Sequence, residues 1–163
     1  MNFSMLPLIG LTQGAQPIIS YSYGKNDINR LKTTFLYLLK SSLIYSFTLW
    51  ILLMFIPNIF ASLFTSDTSL IDYSTPAIRM FFFVNVLLGI QIACQNTFIA
   101  IGNAKTSLFL AILRKIILLI PLIIILPNFI DPKINGVFIA EPISDFIAVL
   151  TTVIMFRKTY KKL

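Results

Sequence analysis

The sequence contains no histidine and a single cysteine, and only 12% of its 163 residues are charged. These shortages exclude an intrachain disulfide framework, a Cys/His zinc site, and Ser-His-Asp or Cys-His catalysis within one chain. A soluble domain usually carries about a quarter charged residues. The low charge, on a background that is 57% hydrophobic, therefore indicates a membrane protein. We expect neither enzymatic activity nor a metal or cofactor.

The apolar residues are gathered into long runs separated by short polar segments. A transmembrane helix needs ~20 predominantly apolar residues, and five segments reach that length. The predicted spans are 2–23, 34–56, 77–101, 106–127 and 134–156. The sequence thus predicts an all-α, multi-pass protein with about five transmembrane helices, whose principal partner is the lipid bilayer.

The charged residues between these runs are distributed unevenly. The net charge is +7, but the positive residues sit in short loops, so we expect no nucleic-acid partner. One set of loops carries eight of them: Lys25, Arg30, Lys32, Lys105, Arg157, Lys158, Lys161 and Lys162. The alternate loops carry Arg79 and Lys133. We therefore predict that the protein lies in the cell membrane. Because cytoplasmic loops are enriched in Lys and Arg, its C-terminus should face the cytoplasm and its N-terminus the outside.

Six charged residues fall inside the predicted spans: Lys40 and Arg79 lie near the starts of theirs, and four lie deeper, in the fourth and fifth spans. Glu141 and Asp145 are four positions apart, which places both carboxylates on one helix face. Arg114 and Lys115 lie at a similar depth in the preceding span. Intramembrane charges usually mark a functional site, here a site responsive to protons or cations. The alternative is a structural ion pair between the two acids and the two bases, and both interpretations stay open.

Uncharged polar residues also interrupt the spans. Gln13 and Gln16 lie near the middle of the first span, and Gly and Pro residues between and beside them open its backbone. Gln91, Gln95 and Asn96 lie in the third span. Interrupted helices of this kind build substrate sites in carriers, whereas amides also bond helices to one another. Either role fits the sequence, and we take these five amides as candidates for the substrate cavity.

Four stretches resemble, in order, segments of the multidrug and toxin extrusion (MATE) family. They are residues 10–24 (GLTQGAQPIISYSYG) with the loop after them, 98–105 (FIAIGNAK), 113–114 with 120–121, and 136–145 (GVFIAEPISD). The first resembles the second helix of that family's C-terminal lobe, with Gly14, Pro17, Tyr21 and Gly24 as its motif positions. The likeness covers nearly the whole chain.

The resemblance implies a fold of twelve helices in two six-helix lobes around a central cavity. Such proteins export cationic and amphipathic compounds in exchange for sodium ions or protons. Residues 1–163 would then be a partial C-terminal lobe, the last five helices of a longer antiporter. The resemblance implies that transport requires a missing N-terminal lobe.

Two other functions remain open at this stage. The first is a flippase of the same superfamily that moves lipid-linked saccharides, for which Arg79, Arg114 and Lys115 are candidates to bind pyrophosphate. The second is a truncated membrane protein that does not transport.

Overall fold

The structure, a computed structural model, describes residues 2–62 and 65–161, and the backbone alone for residues 2–4. Lys162, one of the residues assigned to the cytoplasmic tail, lies outside this part of the chain. All regular structure in the described ranges is helical. The all-α prediction is therefore confirmed.

Eight α-helices follow one another along the described chain. They are α1 (Asn2–Gly24), α2 (Ile28–Phe55), α3 (Pro57–Ser62), α4 (Thr68–Phe82), α5 (Leu88–Ala100), α6 (Ala104–Ile112), α7 (Ile120–Ile125) and α8 (Lys133–Tyr160). Single 3₁₀ turns occupy Asn85–Leu87 and Leu126–Asn128. A π-helical segment, Leu113–Leu119, joins α6 to α7.

Three of the described helical segments are long and apolar enough to cross a membrane: Ile28–Phe55, Ala104–Asn128 and Lys133–Tyr160. A fourth span is counted if the bent pair Thr68–Phe81 and Asn85–Ala100 crosses as one unit. The helix α1 is long enough, at 23 residues, but is not among the segments that qualify. Its polar residues, which include Gln13 and Gln16, lower its hydropathy.

The third predicted span differs from expectation because its helix is broken. The sequence predicts one continuous run over 77–101, whereas α4 ends at Phe82 and the axis turns by 47° before α5. Two side chains bond this region to neighbouring backbone. Trp50 Nε1 donates to the carbonyl of Phe83 at 2.9 Å, and Arg79 Nε donates to the carbonyl of Met54 at 3.1 Å. The bend is thus anchored to α2.

Polar side chains cap the N-termini of three helices that follow loops. Asp67 caps α4 by accepting hydrogen bonds from the backbone N–H and hydroxyl of Ser69 at 2.9 and 2.6 Å. These bonds hold the pKa of Asp67 below its ordinary value. Asp27 caps α2 and Asn103 caps α6 in the same manner. The two tight turns contain Asn26 at φ 57° and Gly102 at φ 80°, the left-handed conformation that Asn and Gly adopt most readily.

A close helix crossing joins α2 to α5 at Gly89. A Cβ built on Gly89 would lie 2.6 Å from the carbonyl oxygen of Ser42 and 2.7 Å from Ser46 Oγ. Ser42 and Ser46 are both buried. Small residues let helix backbones approach closely in membrane proteins, and Gly89 in this way lets α5 pack directly against α2.

We expect Gly89→Ala to destabilise the chain by about 1–3 kcal/mol, because the added methyl group collides with backbone that cannot rotate away. The measurement is denaturant unfolding in mixed micelles, followed by the fluorescence of Trp50, the single tryptophan. Gly14→Ala is the matched control, since no atom lies within 4 Å of a Cβ there. Equal stability of the two variants would contradict the tight α2–α5 crossing.

Candidate functional site

The four charged residues of the fourth and fifth predicted spans meet in one cluster between the π-helical segment and α8. Arg114 Nε donates to Asp145 Oδ1 at 2.5 Å. Lys115 Nζ donates to Glu141 Oε1 at 3.0 Å. Arg114 Nη2 lies 3.9 Å from the same Glu141 oxygen. The structure therefore makes one connected network of the two bases and two acids, which we call the charge cluster.

Most of the charge cluster is shielded within the chain. The side chains of Asp145, Glu141 and Arg114 are 6%, 8% and 14% exposed, whereas that of Lys115 is 52% exposed. Two positive and two negative charges leave the cluster neutral when all four groups are ionised. Neutrality matters because an unpaired charge in a low-dielectric interior costs several kcal/mol.

The local backbone places the cluster's members side by side. On α8, Glu141 and Asp145 are one turn apart around Pro142. On the facing segment, Arg114 and Lys115 occupy the first part of the π-helical stretch. Ser144 Oγ donates to the carbonyl oxygen of Arg114 at 2.9 Å. Single π-helical turns inserted in α-helices often occur at functional sites, and here one carries both bases.

Ser144 contacts the charge cluster, although the sequence did not predict a role for it. It is buried, and it ties the backbone of the π-helical segment to α8. The available signal was its spacing, because it lies three residues after Glu141, on the same helix face.

Among the described residues, four buried side-chain atoms have no hydrogen-bond partner: Arg114 Nη2, Gln91 Oε1, Ser42 Oγ and Ser46 Oγ. A buried donor or acceptor without a partner is costly and calls for an explanation. Arg114 therefore retains one donor that can take a new acceptor if its carboxylate partners change.

The amides proposed for the substrate cavity do not share one set of contacts. Gln95 Nε2 donates to the carbonyl of Ser107 on α6 at 3.0 Å, and Asn96 Nδ2 donates to Ile92 within α5. Gln91 is buried. On α1, Gln13 is exposed and Gln16 half-buried. Gln95 thus joins α5 to α6, while Gln13 remains accessible from outside the chain.

The MATE-like motif positions lie on the open side of α1. Gly14, Pro17, Tyr21 and Gly24 are all exposed. No atom lies within 4 Å of a Cβ built on Gly14 or Gly24. In the described part of the chain, this face of α1 is left uncovered at these two glycines.

The basic residues considered for pyrophosphate binding are engaged elsewhere. Arg79 donates to the carbonyl of Met54, and Arg114 and Lys115 pair with carboxylates. Arg79 is exposed and Lys115 is 52% exposed at its side chain, whereas Arg114 is 14% exposed and is held by Asp145. The geometry gives little support to a pyrophosphate site built from them.

An apolar groove of about 470 Å³ adjoins the charge cluster along α8. It lies between the end of α4 and α8, and it is lined by Met80, Phe83, Val84, Ile139, Pro142, Ile143 and Phe146. Its α8 residues alternate along the sequence with Glu141, Ser144 and Asp145. Small-molecule sites commonly have volumes of about 300–1,000 Å³ and mostly apolar walls.

Comparison with known proteins agrees with this architecture. The profile of the MatE family matches residues 1–125. An FAD transporter of Shewanella oneidensis is 27% identical over 149 residues, which are 88% of this chain and 31% of that protein.

Solved structures share the fold along nearly the whole chain. A ligand complex of the MATE multidrug transporter DinF-BH is 35% identical with a TM-score of 0.89, over 97% of this chain and 35% of that one. The inward-facing conformation of a multidrug resistance MATE family transporter of the MOP superfamily is 21% identical with a TM-score of 0.89, over 98% and 37%. The chain thus spans between 31% and 37% of the length of these relatives.

Proposed function

Since the chain belongs to the MatE family, we propose that it forms most of one six-helix lobe of a secondary antiporter that exports small cationic or amphipathic compounds in exchange for sodium ions or protons. The family's members are multi-pass membrane transporters, and the long apolar helices of this chain fit that setting. A lobe of this kind works against a second lobe, because alternating access requires one repeat to move relative to another around a shared site.

The observation that carries the proposal is the charge cluster. With all four groups ionised the cluster is neutral, and Arg114 holds Asp145. A proton or a sodium ion bound at Asp145 would add one positive charge and weaken that hold. Arg114 would then be free to use its unpartnered Nη2 donor. On this proposal the cluster would have a second arrangement when a cation is bound, and the balance between the two would depend on cation occupancy, as coupling requires.

The apolar groove supplies a place for the body of a substrate. Pro142 and Ile143 line it, and they directly follow Glu141 in the sequence. An amphipathic cation seated there would have its apolar part against α4 and α8, and its charge near the acidic side of the cluster. Binding of substrate and of the coupling cation would then involve the same segment of α8.

The proposed orientation places the C-terminus in the cytoplasm. The ends of α1, α5 and α8 and the starts of α2 and α6 carry most of the basic residues. This asymmetry supports the orientation through the enrichment of Lys and Arg in cytoplasmic loops.

We expect Asp145→Asn to lower coupled efflux by about tenfold or more, because a neutral amide cannot exchange a cation with Arg114. The assay uses the chain co-expressed with the remaining lobe of a relative and reconstituted with it in liposomes. Export of a cationic dye is driven by a sodium gradient or by a pH gradient in separate experiments. Asp131→Asn, an exposed acid outside the predicted spans, is the matched control.

Unchanged dye export together with unchanged sodium and pH dependence in Asp145→Asn would refute the coupling role. The 163-residue chain reconstituted alone is expected to give no export. Export that is restored by co-expression with the remaining lobe of a relative would support the lobe assignment.

A second substrate class is suggested by the FAD transporter relative. The half-exposed ammonium group of Lys115 is the feature that favours an anionic substrate. Competition between the cationic dye and FAD in the same liposomes separates the two classes. If FAD is exported and the dye is not, Lys115→Gln should lower FAD export per folded molecule, with the folded fraction measured on the same preparation.

A further inference from the structure

Five helix termini lie at one end of the bundle: the ends of α1, α5 and α8 and the starts of α2 and α6. Ser20 Oγ, near the end of α1, donates to the carbonyl of Ala100 at the end of α5 at 2.8 Å. The rings of Phe35, in α2, and Phe156, in α8, stack with their centroids 4.6 Å apart. The turn between α5 and α6 lies here as well, since Ala100 ends α5. We call this surface the basic end.

The basic end has a strong excess of positive charge. In the described part of the chain it carries Lys25, Arg30, Lys32, Lys105, Arg157, Lys158 and Lys161, against one acid, Asp27. Asp27 Oδ1 accepts the backbone N–H of Arg30 at 3.0 Å, so this carboxylate is committed to the start of α2. The loops at the opposite end carry acids and bases in closer balance, with Asp67, Asp72, Asp131, Arg79 and Lys133.

Two of these cations are held on one aromatic ring. Lys25 Nζ lies 4.8 Å from the centroid of Tyr21, and Arg30 Cζ lies 5.9 Å from the same centroid. Tyr21 is 53% exposed. The left-handed Asn26 lies in the tight turn between α1 and α2, and this turn separates Lys25, directly after α1, from Arg30, in the first turn of α2. The ring attracts both cations, and an anion bound to both would offset the repulsion between them.

We propose that Tyr21, Lys25 and Arg30 bind the phosphate group of an anionic phospholipid in the adjacent leaflet. A guanidinium group and an ammonium group are the usual donors to phosphate. Tyrosine rings are enriched at the membrane interface, at the depth of lipid headgroups. Because the ring already restricts both side chains, little side-chain entropy is lost when the phosphate binds. The site is independent of the proposed transport function.

The neighbouring Lys32 has a different setting. Its Nζ lies 5.2 Å from the centroid of Tyr160, a ring that packs against Phe35 and Phe156. Lys32 is therefore the one described cation near the Tyr160 ring, whereas Lys25 and Arg30 both lie near the exposed ring of Tyr21. The paired cations therefore form the more specific phosphate site.

The test measures lipid binding by the whole chain in detergent micelles. Native mass spectrometry counts the bound phosphatidylglycerol and phosphatidylcholine molecules at equal concentrations. Lys25→Gln with Arg30→Gln should weaken phosphatidylglycerol binding by about tenfold or more for each charge-assisted hydrogen bond lost, with phosphatidylcholine unaffected. Tyr21→Leu keeps both charges and should still lower phosphatidylglycerol binding, by a smaller factor. Inorganic phosphate added as a competitor separates recognition of the phosphate alone from recognition of the lipid.

A control with the same loss of charge keeps the proposal falsifiable. Arg157→Gln with Lys158→Gln removes two charges from the same end without touching Tyr21. If this control weakens phosphatidylglycerol binding as much as the Lys25 and Arg30 variant does, only diffuse attraction exists and the site is refuted. Displacement of the lipid by millimolar inorganic phosphate would overturn the lipid as the ligand. Far-UV circular dichroism of every variant checks that the helices are retained.

Discussion

Arg114→Met should lower the free energy of unfolding by about 3–5 kcal/mol, because it leaves a buried carboxylate without its partner. Asp145 is 6% exposed at its side chain, and Arg114 is its only hydrogen-bond donor in the charge cluster. The removed guanidinium group also leaves Glu141 with Lys115 alone. The cluster then carries a net negative charge inside a region that excludes water.

A double variant separates the lost pair from the lost packing. Arg114→Met with Asp145→Asn removes one positive and one negative charge, and it leaves the pair between Lys115 and Glu141 in place. We expect this double variant to recover most of the lost stability, since replacing both members of a buried pair is often nearly neutral. Arg114→Lys keeps the charge but loses the forked geometry and should be intermediate.

Denaturant unfolding in mixed micelles measures these free energies, again with Trp50 as the probe. Lys133→Met, an exposed residue before the predicted fifth span, is expected to change stability by less than about 0.5 kcal/mol. A loss in Arg114→Met no larger than that of this control would contradict the pairing. A double variant as unstable as the single one would show that packing, not charge, is responsible.

Phe156→Ala should be the second large effect, with a loss of about 3–5 kcal/mol. Phe156 is 6% exposed, and its ring contacts Phe35 at 4.6 Å, Phe98 at 5.5 Å and Tyr160 at 5.7 Å between centroids. These contacts join α2, α5 and α8 at one point. Truncation opens a cavity that the surrounding helices cannot fill without moving.

The control for this variant is Phe129→Ala, since Phe129 is 82% exposed. It should leave the unfolding midpoint nearly unchanged. Phe156→Leu keeps most of the volume and should recover part of the stability. If the two alanine variants unfold at the same denaturant concentration, the aromatic contacts do not hold these three helices together.

Local residue patterns were sufficient to predict that the chain is helical and where two of its helices end. Pro57 and Gly102 follow runs that end within two residues of them in the structure, at Phe55 and Ala100. Only helices and closed barrels can pair all their backbone hydrogen-bonding groups within lipid. A continuous apolar run of about 20 residues therefore predicts a helix. The resemblance to the MATE family is confirmed by the family profile and by the solved structures.

The break near Phe83 had no comparable signal. No proline or glycine stands at 83 or 84, and the helix is interrupted where Trp50 and Arg79 bond to backbone carbonyls across α2 and α4. Such contacts join residues 25 to 33 positions apart, which no local pattern reports. The same is true of Gln95, whose bond to the carbonyl of Ser107 depends on how α5 and α6 face each other.

The sequence by itself determined that this is a helical membrane protein with four charges placed where water is scarce. It did so because hydropathy and helical spacing are local properties that need no partner. Only the tertiary structure decided how those charges are used. Arg114 meets Asp145 and Lys115 meets Glu141 across more than twenty-five residues, because the π-helical segment and α8 pack face to face, and that packing depends on every helix between and around them.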